Sequence, residues 1–104
     1  MDRIEFANSL KTSENEIVEN FDEFMSCYDL IAYYNMLQVD NYTPLDSNSI
    51  LFNISITSDI SVERIKSILD ATIIDKYCKI FKIKSNIIDY NKLSVIFYKT
   101  GVSG

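Results

Sequence analysis

The sequence predicts an α+β fold: two helices, then a strand, a helix and two further strands. Three observations predict it. Apolar residues recur at helical spacing from Ile17 to Ala32, with acids on the opposite arc. Ile50, Phe52, Ile54 and Ile56 then alternate with mostly polar neighbours, the period of a half-buried strand. A second helical stripe and two lysine-flanked, β-rich runs follow. A chain of 104 residues is expected to form a single domain over 1–104, with an acidic helical segment at 1–39 and a β-α-β-β segment at 50–99.

Asp2 followed by Glu5 fits a capping box, so the first helix is placed at Arg3 to Lys11. Ser13 and Glu16 repeat that signature and open a longer helix, placed at Glu14 to Leu37. Ile17, Val18, Phe21, Phe24, Met25, Tyr28, Ile31 and Ala32 form its apolar face. Glu16, Glu19, Asp22, Glu23 and Ser26 lie opposite. The pattern breaks near residue 33, where Tyr33 and Leu37 turn toward the acidic side. Asp40 to Ser49 is rich in Asn, Asp and Ser and holds Pro44, which predicts a loop.

The first strand is Ile50 to Thr57. Ser61 or Asp59 caps the next helix, Val62 to Ile74, whose stripe is Val62, Ile65, Ile68, Leu69 and Ile73. The second strand is Tyr77 to Lys84, Ser85 to Asn91 is a turn, and the last strand is Lys92 to Lys99. The tail from Gly101 to Gly104 is expected to fray. The last strand is apolar on both faces and belongs inside the sheet, while the lysine-rich strand suits an edge. The expected sheet therefore has three strands in the order first, third, second. This resembles half of a ferredoxin-like unit, a likeness that implies architecture and not activity.

Composition excludes several chemistries. Histidine is absent, so no Ser-His-Asp triad, Cys-His dyad or histidine-ligated zinc is possible. Both glycines lie beyond residue 100, which removes the glycine-rich phosphate loops. The longest apolar run, Leu30 to Tyr34, is five residues, too short for a membrane span. Two cysteines, Cys27 and Cys78, read as small buried residues and suit a reducing, cytoplasmic setting. Neither a catalytic residue, a metal nor a cofactor is expected.

Charge carries the functional hint. The net charge of −5 conceals 12 acids against two cations in residues 1–63, and three acids against eight cations thereafter. The first reading is a non-enzymatic inhibitor or adaptor that docks a basic, nucleic-acid-binding protein. Its contact residues would be Glu14, Glu16, Glu19, Asp22, Glu23 and Asp29, flanked by Tyr33 and Tyr34. Such carboxylates would meet the Lys and Arg groups that otherwise neutralise phosphates. In size and charge the chain resembles small acidic immunity proteins, antitoxins and phage anti-CRISPR inhibitors, although no motif carries that resemblance. The second reading is a structural or regulatory homo-oligomer, with Leu51, Ile96 and Tyr98 forming a homodimer interface on the outer sheet face. Richness in Asn, Ile, Lys and Tyr suits a low-GC bacterial or phage origin. Direct nucleic-acid binding through Lys76, Tyr77, Lys79, Phe81, Lys82 and Lys84 is opposed by the net negative charge.

Overall fold

The computed structural model describes residues 1–12, 20–46, 48–76 and 79–100. Helix α1 spans Arg3–Lys11, where the Asp2 carboxylate accepts from the Glu5 amide at 2.8 Å and the Glu5 side chain answers at the Asp2 amide. Helix α2 spans Phe21–Tyr33. Strand β1 (Leu37–Asp46) and strand β2 (Ser49–Ile56) form a hairpin. Helix α3 (Val62–Asp70) follows, its first turn capped by the Ser61 hydroxyl, which accepts from the Arg64 amide. Strands β3 (Ile73–Lys76), β4 (Lys79–Asp89) and β5 (Lys92–Thr100) complete the chain.

The sheet has five strands in the order β1-β2-β5-β4-β3, and every neighbouring pair is antiparallel. This confirms the α+β class and corrects the three-stranded sheet. The three expected strands stand in its middle as β2-β5-β4, but a strand flanks them on each side. The half-ferredoxin likeness also needs correction. Helix α3 leads into β3 at the far edge, which runs antiparallel to β2, rather than directly into the parallel β4.

The loop expected at Asp40 to Ser49 is mostly β1. Its alternation is hidden by register shifts after Val39 and after Pro44. Pro44 is tolerated there because β1 is an edge strand with one side free of ladder bonds. The long helix expected to reach Leu37 ends at Tyr33, and Leu37 already pairs with Ile56. Its expected start, and the cap at Ser13 with Glu16, lie outside the described residues. Helix α3 stops at Asp70 rather than Ile74, because β-branched Ile73 and Ile74 join the sheet. The expected turn at Ser85 to Asn91 is strand as far as Asp89.

All three helices cover one face of the sheet and close a single core. Phe6 and Leu10 of α1, and Phe24, Met25, Cys27, Tyr28 and Ile31 of α2, pack on Phe52, Val95 and Phe97 among others. Phe52 lies at the centre, with ring centroids of Phe6, Phe97, Tyr28 and Tyr42 at 5.4, 5.6, 6.4 and 6.4 Å. Helix α3 lays Val62, Ile65 and Leu69 over the β4 side. Residues of opposite parity on β2, β4 and β5 face away from the helices.

Strand β3 reaches only as far as Lys82 on β4, which leaves Ser85 beyond its pairing. Helix α3 supplies the missing partners. The Ser85 amide and hydroxyl donate to Asp70 Oδ1 at 3.0 and 2.7 Å, and the Ser85 carbonyl accepts from Lys66 Nζ at 2.9 Å. Lys66 Nζ also donates to Asp70 Oδ2 at 2.5 Å, so the i,i+4 pair stands where a strand would otherwise pair. Burial pushes the Asp70 carboxyl up, but the bonds from Lys66 and Ser85 outweigh it and hold the group below the usual range.

Candidate functional site

The outward face of helix α2 is acidic. In α2, burial of Phe24, Tyr28 and Ile31 forces the opposite side into solvent. Asp22, Ser26, Asp29 and Tyr33, spaced four, three and four residues apart, then fall on one stripe. Asp22, Asp29 and Tyr33 are exposed, and Ser26 is half-buried with its hydroxyl donating to the Asp22 carbonyl. Glu23 stands beside the stripe and is half-buried. Helix α1 adds exposed Asp2 and Glu5. These two were missed as site candidates because their capping pattern accounted for them; their place beside α2 is a tertiary fact.

The stripe is not free of counter-ions. Arg3 Nε donates to Asp29 Oδ1 at 2.8 Å, and this pair raises the Arg3 pKa further. Asp29, expected as an open contact group, is thus exposed but paired with Arg3 within the chain. At the start of α2 the Asn20 side chain accepts from Lys99 of β5, whose ammonium also lies 5.7 Å from the Phe81 ring centroid. Burial, then the charges of Asp2, Asp29 and Glu5, push the Tyr28 phenol up. Its hydroxyl donates to the Met1 carbonyl at 2.9 Å.

Tyr33 and Tyr34 meet edge to face, 5.5 Å between centroids, but they look in different directions. Tyr33 is 80% exposed and continues the acidic stripe. Tyr34 is half-buried and lines a shallow apolar groove with Met36, Ile60, Ile65 and Ile68. Glu14, Glu16 and Glu19 lie outside the described residues, as do Cys78 and the Gly101 to Gly104 tail.

Two lysines of β4 occupy the other side of the molecule, whereas Lys66 and Lys99 stay on the helix side. Phe81 and Ile83 are buried beneath the helices, so Lys82 and Lys84 project from the outer sheet face. Phe81 does not share a surface with these lysines, since it points into the core while Lys82 and Lys84 point out. Leu51 and Ile96 pair across β2 and β5 on that outer face, both half-buried, with Tyr98 36% exposed beside them. The structure thus brings together the three residues placed at a dimer interface.

Among the described residues, no three carboxylate or thiol groups converge as a metal ion would require. No helix among them is long and apolar enough to cross a membrane. No protein-family model matches the chain, and neither does any curated protein or solved structure.

Proposed function

We propose that this protein is a non-enzymatic binding module whose acidic helical face docks a basic, nucleic-acid-binding protein as an inhibitor or adaptor. One observation carries the reading: Lys82 and Lys84 stand on the sheet face opposite the helices, so they do not neutralise the carboxylates of α1 and α2. The sequence through α2 holds eight acids against Arg3 and Lys11, and Arg3 is spent on Asp29. A negative surface of this kind steers a positively charged partner and sets its orientation. Tyr33 supplies exposed aromatic area at the end of the stripe, the kind of anchor that concentrates binding energy.

The test uses the tagged full chain against the heparin-retained protein fraction of its native host, at rising salt. The expected result is stoichiometric capture of one basic protein, lost as salt screens the contact. Capture should also be lost in a variant carrying Glu16→Gln, Glu19→Gln, Asp22→Asn and Glu23→Gln, with an unchanged circular dichroism spectrum. It should survive Lys82→Gln with Lys84→Gln. Equal capture by the acidic-face variant would refute the reading.

A further inference from the structure

The outer face of the sheet carries an order that the acidic helices do not explain. Because all three helices lie on the other side, no described helix covers it. The ladder registers align its side chains in rows across four strands. One row runs Asp46, Ser49, Tyr98, Lys82, and the next runs Thr43, Leu51, Ile96, Lys84. A third is entirely polar: Asn41, Asn53, Ser94, Asn86. The first two rows pass from Asp46 and Thr43 at β1, through Leu51, Ile96 and Tyr98 at β2 and β5, to Lys82 and Lys84 at β4, whereas a fourth row, Gln38, Ser55, Lys92, Asp89, ends in an acid. Asp40 reinforces the acidic side, where its carboxylate accepts from the Ser55 hydroxyl.

We propose that this face binds a second copy of the chain, through a two-fold axis parallel to the strands and between β2 and β5. That operation keeps each row level and reverses it from end to end. It sets Asp46 over Lys82 of the partner subunit, Leu51 over the partner's Ile96, and Thr43 over the partner's Lys84. Apolar meets apolar at the centre, acid meets base at the sides, and the same contacts recur twice, as an isologous interface demands. A two-fold axis perpendicular to the strands through the Leu51 and Ile96 row would set Lys84 over the partner's Lys84 and leave Asp46 and Lys82 without opposite charges. Charge complementarity selects the first axis over the second. The result is two aligned sheets packed face to face about 10 Å apart, the geometry of a β-sandwich. This interface leaves the acidic helices outward on both subunits and is independent of the docking reading above.

The test is sedimentation equilibrium of the full chain over a concentration series. A reversible dimer is expected for the unaltered protein and for the Asp22→Asn, Glu23→Gln variant. Ile96→Asp, placing charge at the centre, should give a monomer with an unchanged circular dichroism spectrum. Thr43→Lys, opposite the partner's Lys84, should weaken dimerisation a few-fold, the scale of an exposed charge pair. Adding Lys84→Glu to Thr43→Lys should restore it. Because positions 43 and 84 are exposed, this swap reads the interface even where Ile96→Asp perturbs folding. A monomer at every concentration, a dimer that survives a well-folded Ile96→Asp, or a charge swap without rescue would each overturn the proposal.

Discussion

Asp70→Ala removes the group that closes the sheet edge at Ser85. Ser85 is 1% exposed, and its amide and hydroxyl both donate to the carboxylate that would be lost. A buried donor left without an acceptor costs about 1–3 kcal/mol. The Lys66 partner is a lesser matter, because both side chains of the pair are 36% exposed and solvent screening keeps such pairs under about 1 kcal/mol. A loss of about 2–3 kcal/mol follows, or about 10 °C in melting temperature for a domain of this size. Asp70→Asn keeps an acceptor for Ser85 and should lose about half as much. Urea denaturation followed by circular dichroism reads both variants, with Asp59→Ala as the exposed control. The pH dependence has a fixed sign. The Asp70 pKa is lowered in the folded state, so its contribution is complete above the unfolded value of ~3.9 and fades as pH falls through the folded value. The gap between the wild type and Asp70→Ala should therefore narrow in strongly acidic buffer, toward that between Asp70→Asn and Asp70→Ala. If Asp70→Ala cost no more than Asp59→Ala at neutral pH, or if the gap stayed constant on acidification, the edge-closing role would be wrong.

Two further outcomes test the core and the surface. Phe52→Ala should cost about 3–5 kcal/mol in urea denaturation, because the ring is fully buried among four other aromatic rings that cannot all move into the space. Arg3→Ala should leave the urea midpoint close to that of the wild type, since its pair with Asp29 is well exposed and screened by solvent, yet it should strengthen capture of a basic partner by releasing Asp29.

What local chemistry encodes was legible in the sequence. Asp2 with Glu5 placed α1, and Ser61 or Asp59 placed the start of α3, where the structure selects Ser61, because a cap is a contact between residues three apart. Alternation placed β2 and the inner position of β5, because burial of one or both faces writes itself into every other residue or into all of them. The buried side of α2 was equally plain from Phe24, Tyr28 and Ile31. The acidic run could be counted, but where its counter-charges sit could not.

Tertiary structure decided the rest. β1 is an edge strand with two register shifts and a proline, so its polar residues satisfy a ladder on one side only and leave no clean period. β3 is too short to show a pattern, and Ile73 reads equally well as the last turn of a helix until β4 pairs with it. The pairing of Arg3 with Asp29 spans 26 residues, a separation at which sequence spacing says nothing about distance. Lys82 and Lys84 were set apart from the acids of α2 only when the pleat of β4 sent Phe81 and Ile83 inward and these two lysines outward. Side-chain type fixes which groups seek water, but strand parity and neighbour order fix the side of the molecule on which they find it.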